Sequence, residues 1–291
     1  MPALRIGVNS FSFVWKETVQ VFLRRLNDMD YSHFDILTAP HHCWPPDFDA
    51  ADRTALKSLA DLLDIRIESL NLPSLDQNLA SPTREAREYT LCLYRGLIDL
   101  ASYLGSSFVV TLPGRRSHLG PPPTEKLRGW LHGSIEQLLP YAQRAGIRIV
   151  LENHPQSVIP MAGEMAEFVE QFGSQNLGIC YDVANGEFTG EDHPAALRRI
   201  APHLMQIHLS DSTRSAWQHD PIGTGSVDFR TVATTLREIG YTGTSIIEII
   251  SESPERDIAE GNRRLAEFGW ECPGGKQSRP PKRSEPNPRL T

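Results

Sequence analysis

Cysteine is scarce in this chain, with four in 291 residues, at Cys43, Cys92, Cys180 and Cys272. They form no C-x-x-C knuckle and no paired framework, which excludes a zinc ribbon and a disulfide-stapled scaffold. Long apolar runs are missing too. No stretch reaches the roughly 18 residues of a membrane span, so no membrane partner is expected. The opening MPALRIGVNSFSF carries one arginine and no apolar segment before a small-residue cleavage site, so it does not read as a secretory signal. A cytoplasmic location with reduced thiols is the expectation. Positive charge is in deficit: 29 Lys and Arg against 36 Asp and Glu give a net charge of −7. An acidic surface disfavours non-specific nucleic-acid binding. The first apolar run leads into GVNSFS, with one glycine and no G-x-G-x-x-G, which argues against a dinucleotide fold.

What is present is a regular alternation. Short β-branched runs are expected as strands at Leu4–Val8, His33–Leu37, Ile65–Leu70, Ser107–Thr111, Ile147–Glu152, Leu177–Tyr181, Leu204–His208 and Ser245–Ile249. Amphipathic runs fill the gaps, and several stop at a glycine suited to a left-handed cap: Gly105, Gly146, Gly173 and Gly240. Alternating strands and helices imply parallel strands joined by crossovers. Eight units in 272 residues leave about 34 each, and a βαβ unit takes roughly 30. The prediction is therefore an α/β fold, a single (β/α)8 TIM barrel over residues 1–272. Residues 273–291 hold five prolines and almost no apolar side chains. That segment is expected to be a disordered, solvated tail. It carries +4, so the barrel itself carries −11.

A barrel of this type places its chemistry at the C-terminal ends of its strands. Strand five ends in Glu152, strand six in Asp182 and strand seven in His208, and strand eight carries Glu248 within the apolar SIIEII. A buried carboxylate is costly without a cation or a proton. Asp182 taken alone serves equally well as the cap of the next helix. Together, two Glu, one Asp and one His on consecutive strands make a divalent-metal set. Weaker candidates are Asp35 at the end of strand two and Asn9 and Ser10 at the end of strand one. The aromatic stretch around His41, His42 and Trp44, and Trp15 after strand one, are candidate walls. Asp228 is expected to cap a helix.

These residues carry a resemblance. Val-Leu-Glu-Asn-His at 150–154, Tyr181-Asp182, His-Leu-Ser-Asp at 208–211 and Ile-Ile-Glu at 246–248 resemble the xylose-isomerase-like barrel superfamily of sugar phosphate isomerases and epimerases. The glycine-rich stretch from His219 resembles the family's segment after strand seven. The resemblance spans about residues 4 to 270 and implies that Glu152, Asp182, His208 and Glu248 hold one divalent metal, with manganese, magnesium or cobalt suited to the oxygen-rich set and zinc also open. It further implies that Arg214 binds a substrate oxygen and that His154 acts in proton transfer, as in the dehydroshikimate dehydratases of the superfamily. His219 is a candidate near the metal. Where many members have a histidine three residues after the strand-six Asp, this chain has Asn185, suited to a substrate hydroxyl. Ketose epimerases usually carry a second Glu soon after the strand-five ligand, whereas NHPQSV has none. The endonucleases of the superfamily need further histidines that are missing here.

The expected activity is a metal-dependent isomerase or epimerase of a sugar or polyol-derived ketone, through a metal-stabilised enediolate. Glu152 and Glu248 would exchange protons, and Arg214, Asn185 and His219 would contact a small sugar-like substrate. The alternative is a lyase, a dehydratase of a cyclic keto-polyol using His154. An endonuclease-type phosphodiesterase ranks below both. No nucleic-acid partner is expected, and a homo-oligomer is left open. Truncation after Cys272 is expected to leave the thermal unfolding midpoint unchanged; a drop of several degrees would assign the tail a structural task.

Overall fold

The computed structural model describes residues 4–73, 76–117 and 119–271. The tail expected at 273–291 lies outside the described residues. In chain order the first half runs β1 (Arg5–Asn9), α1 (Val19–Asp28), β2 (His33–Leu37), α2 (Ala50–Leu63), β3 (Arg66–Asn71), α3 (Arg84–Leu104), β4 (Phe108–Thr111) and α4 (Thr124–Ala145). Then follow β5 (Arg148–Glu152), α5 (Ala162–Glu170), β6 (Leu177–Asp182), α6 (Val183–Thr189), α7 (His193–Ile200) and β7 (Leu204–Leu209). The last part holds β8 (Asp211–Thr213), β9 (Ala216–Asp220), α8 (Phe229–Glu238), β10 (Thr244–Ile247) and α9 (Pro254–Ala266).

Eight of these strands close into a parallel barrel in the order β1-β10-β7-β6-β5-β4-β3-β2. All eight expected strands are present. The helices between barrel strands return the chain to the start of the next strand, with α6 and α7 sharing the crossover from β6 to β7. Gly105 and Gly146 cap α3 and α4 at φ 78° and 72°, where a side chain would be strained. Aspartates start other helices. Asp49 accepts from Ala51 and Asp52 at α2, Asp192 accepts from Ala195 at α7, and Asp228 caps α8 through Thr231.

The apolar core is mainly a shell between barrel and helices. Phe22, Leu97, Leu131, Val169, Leu197 and Val232 turn from successive helices onto the outward faces of the strands. Inside the barrel a smaller apolar layer is made by Val110, Val150 and Cys180, with Phe108 and Met205 packed against it. Gly178 leaves the room that Met205 fills, since a Cβ there would overlap the thioether. Strand side chains alternate with period two. Glu152 therefore shares its side with Val150, and Asp182 shares its side with Cys180. Beneath the Glu152 and Asp182 side of the candidate set the layer is apolar, while Gln206 below His208 is buried and donates to Ser69 Oγ at 2.9 Å.

Two elements go beyond the strand-helix alternation. β8 and β9 form a separate antiparallel hairpin between β7 and α8, and α6 is a short helix directly after β6. The polar run LSDSTRSAWQHD has no apolar alternation strong enough to announce a hairpin. It is held instead by local bonds, including Ser212 Oγ donating to the Ala216 carbonyl at 2.9 Å.

The segment after α6 brings a buried carboxylate to the start of another helix. Glu191 Oε1 accepts from the Ala162 N–H, the first residue of α5, at 2.8 Å. Burial pushes this carboxyl up to about 7, against the pull of that N–H. The folded state thus holds the proton more tightly than the unfolded chain. Wild-type stability falls as pH rises from the ordinary carboxyl range through about 7, while Glu191→Gln escapes the loss. The variant is expected to gain about 2–3 kcal/mol on wild type between pH 5 and pH 8. Denaturant melts at the two pH values check this, and a difference independent of pH would contradict it.

Candidate metal centre

Register brings the four sequence-predicted ligands together. In the parallel ladders Glu152 lies beside Cys180, Asp182 beside His208, and His208 beside Ile246. Glu248 follows two residues after Ile246 and so returns to the same side. The last paired residue of β10 is Ile247, but the Glu248 N–H still donates to the Leu209 carbonyl at 3.0 Å, which fixes its backbone. One ligand atom from each of Glu152, Asp182, His208 and Glu248 lies within 4.8 Å of the others, and all four residues are buried.

His208 stands at the centre of a ring of carboxylates. Its Nδ1 is 3.0 Å from Glu248 Oε2 and 3.3 Å from Glu152 Oε1. Its Nε2 faces the other way, 3.2 Å from Asp35 Oδ2. Asn9 Nδ2 donates to that same Asp35 oxygen at 2.9 Å, and Asn9 Oδ1 accepts from the Phe11 N–H at 2.7 Å. A carboxylate behind the imidazole holds its orientation and leaves the opposite nitrogen for a cation, the arrangement common behind metal-binding histidines.

The charges are frustrated as they stand. Burial works against a charged His208, yet Glu248, Glu152 and the bond to Asp35 lift its pKa well above the usual range. Burial and repulsion from Glu152 and Glu248 push Asp182 up to about 7, with His219 opposing. Burial likewise raises Glu248, with His208 opposing. Glu152 moves the other way: burial acts against its charge, but His208, His219 and His154 together hold it below the ordinary range. Asp182 divides its oxygens. Oδ1 accepts from the Asn185 N–H at 2.6 Å and caps α6, while Oδ2 is buried with no hydrogen-bond partner. The cap is therefore present, and it leaves Oδ2 over for another partner. A buried acceptor without a donor, beside two more carboxylates and an imidazole nitrogen, fits a divalent cation. Three carboxylates and one imidazole suit manganese, magnesium or cobalt and also admit zinc. It is the one such group among the described residues.

The remaining candidates divide. His219, on β9, reaches the cluster, with Nδ1 3.7 Å from Asp182 Oδ2, 3.9 Å from Glu248 Oε2 and 3.1 Å from Ser210 Oγ. His154 borders it. Burial lowers its pKa to about 4, with Glu152 opposing, and its Nδ1 accepts from the Gln156 N–H at 3.1 Å, so the ring proton sits on Nε2. Asn185 is fully engaged inside the protein. Its Nδ2 donates to the Asn153 carbonyl at 2.9 Å and its Oδ1 accepts from the Trp217 indole at 2.7 Å. Arg214 is not brought to the cluster. It lies at the hairpin tip with a 68% exposed side chain, 3.8 Å from Glu187. Its chain position follows the family pattern, but the hairpin turns it outward. Trp15 is likewise exposed, and His42 is tied to the Glu17 carbonyl.

Sequence reasoning passed over Asn153 and Trp217. Asn153 Oδ1 accepts from the Asp182 N–H at 2.6 Å, and its Nδ2 donates to the Asp182 carbonyl at 2.9 Å, so it stitches β5 to β6 at the rim. An amide between two chemical residues, Glu152 and His154, was the available signal. Asp35 was visible only as a strand-end acid. The glycine-rich loop is organised by Asp211, which takes the N–H groups of Ser212, Gly223 and Val227. Gly225 is needed there because a Cβ would meet the Ser212 carbonyl and the Asp211 carboxylate. Two of the loop's amides are thus spent on Asp211.

Comparison with known proteins agrees with this architecture. The protein MJ1311 of Methanocaldococcus jannaschii is 26% identical over 270 residues, covering 91% of this chain and 89% of that protein. Fructoselysine 3-epimerase of Shigella flexneri is 21% identical over 236 residues, covering 78% and 84%. The crystal structure of a D-tagatose 3-epimerase-like protein superposes with a TM-score of 0.80 at 25% identity, covering 91% of this chain and 97% of that one. The family model of the xylose isomerase-like TIM barrel matches residues 23–268, and the chain belongs to that family.

Proposed function

We propose that this protein is a divalent-metal-dependent epimerase or isomerase of a keto sugar, acting through an enediolate. The observation that carries the reading is the placement of Glu152 and Glu248. They come from β5 and from the end of β10, strands separated by β6 and β7, and converge on the same nitrogen of His208. Two carboxylates approaching one point from different sides can remove a proton from one face of a carbon and return it to the other. The epimerase names of relatives spanning most of the chain support the same class.

Glu152, Asp182, His208 and Glu248 would hold the ion, with Asp35 keeping His208 in place. When bound, the ion supplies Lewis-acid polarisation of the substrate carbonyl and makes the neighbouring C–H more acidic. Glu152 and Glu248 would exchange the proton, one from each side of the reacting carbon. His154 enters as a donor. Its Nδ1 is committed to Gln156, which leaves Nε2–H for a substrate oxygen. That geometry favours epimerisation over the dehydratase alternative, in which His154 would have to take up a proton at Nε2.

Two measurements test the reading. Adding Mn²⁺ to chelator-treated protein at about 100 times its dissociation constant is expected to stabilise the fold by about 2.7 kcal/mol. Glu248→Gln should abolish most of that gain, and a wild type indifferent to Mn²⁺, Mg²⁺, Co²⁺ and Zn²⁺ would remove the metal from the proposal. In heavy water with a panel of ketopentoses and ketohexoses, the enzyme should wash one deuterium into the carbon beside the carbonyl while keeping all substrate oxygens. Glu152→Gln and Glu248→Gln should each lower kcat by roughly 10²–10⁴. Loss of water from the substrate would replace the epimerase reading with the lyase one.

A further inference from the structure

Asn185 touches three parts of the site at once. Its backbone N–H meets Asp182 Oδ1 at 2.6 Å, its Nδ2 meets the Asn153 carbonyl at 2.9 Å, and its Oδ1 meets the Trp217 indole N–H at 2.7 Å. The residue is completely buried. Trp217 continues the link outward. Its ring lies edge-on to His154 with centroids 4.7 Å apart, and tilted against Phe188 at 6.3 Å. His219 follows two residues later on β9 and so lies on the same side of the strand. From there it reaches Asp182 and Glu248. One amide side chain therefore joins the loop after β5, the start of α6 and the hairpin arm that carries His219.

His219 has anchors of its own: the Ile250 N–H donates to its carbonyl at 2.7 Å, and Ser210 Oγ lies 3.1 Å from its Nδ1. Arg214 at the tip is mostly exposed and only 3.8 Å from Glu187. Ser212 and Thr213 bond within the hairpin itself. The Asn185–Trp217 bond is a short contact to a fully buried acceptor, and the indole it orients is only half-buried. A half-buried aromatic ring with its one polar group anchored at depth has a fixed tilt. That tilt determines where the His154 ring can sit.

We propose that Asn185 and Trp217 form a positioning lock that sets His154 relative to the carboxylate cluster. The lock acts through His154 and not through Glu152, Asp182, His208 or Glu248. Its effect on turnover rests on the epimerase reading, whereas its effect on the His154 ring does not.

The test uses full-length Trp217→Phe, Asn185→Ala and the double variant. Trp217→Phe keeps an aromatic ring while removing the N–H with the pyrrole part of the indole, and it leaves the Asn185–Asn153 bond in place, so it stays informative if Asn185→Ala folds poorly. Side-chain nitrogen–proton correlation spectra of metal-free protein should show the His154 signals displaced in each variant, and the His219 signals displaced less. Mn²⁺ affinity by calorimetry should stay within about threefold of wild type, because no ligand is touched, while kcat on an active ketose falls about tenfold and KM changes less. The double variant should be no worse than the more severe single one, since both break the same bond. Unmoved His154 signals in Trp217→Phe, multiplicative losses in the double variant, or a Mn²⁺ affinity lost along with kcat would each overturn the lock. A wild type that binds no metal and turns over no ketose would end the epimerase reading, while the histidine spectra would still decide the lock.

Discussion

The contacts of His208 with three carboxylates govern the arrangement of this site. An imidazole buried in a barrel can keep a positive charge only if anions surround it, and Asp35, Glu152 and Glu248 do so from both of its nitrogens. The anions in turn need the imidazole, because three carboxylates cannot share a low-dielectric interior uncompensated. The group can be neutralised by protons or by a metal ion. The raised Asp182 and Glu248 and the protonated His208 describe the first state. The orphaned Oδ2 of Asp182 marks where the second is under-served. Binding a cation would therefore displace protons from residues that already stand in place, with little rearrangement of the backbone.

That pre-arrangement comes from the barrel. Parallel register sets Asp182 beside His208 and sets both beside the strands bearing Glu152 and Glu248. The apolar layer of Val110, Val150 and Cys180 on the Glu152 and Asp182 side lowers the local polarity there, which strengthens the charge interactions above it. Outside the ligand ring, amides do the fastening. Asn9 holds Asp35, Asn153 holds the ends of β5 and β6 together, and Asn185 holds the hairpin. Asparagine suits these places because it can donate and accept at once without adding charge to a site that already carries too much.

The barrel and its ligand set were legible because both follow from strong local signals. Strand-helix alternation repeats eight times, and an ionisable residue at the end of an apolar strand, as with Glu248 in SIIEII, stands out against its neighbours. The contacts around the set were less legible. Whether Asn185 faces substrate or protein depends on where Trp217 falls, and that is decided by a hairpin whose sequence has no clear periodicity. Arg214 shows the same limit. Its spacing after His208 fits a substrate contact, but the two-residue turn between β8 and β9 directs it to solvent. Spacing from a ligand predicts position well along a strand and poorly across a turn.

The same contrast bears on how such a site can diverge. The four ligands are bound to the barrel by register, so replacing one disturbs a buried charge balance and is costly. The hairpin, α6 and the loop after β5 meet mainly through neutral hydrogen bonds and one edge-on ring pair, each worth little alone. A chain can therefore alter what surrounds its substrate while the cation site stays intact. Asn185 at a position where resembling proteins carry histidine, and Arg214 turned outward, are changes of that kind. With both residues so placed, the carboxylates and His208 stay within 4.8 Å of one another. Under the epimerase reading proposed above, substrate choice would rest on the hairpin and α6, on neutral contacts that can shift without unbalancing the charges below.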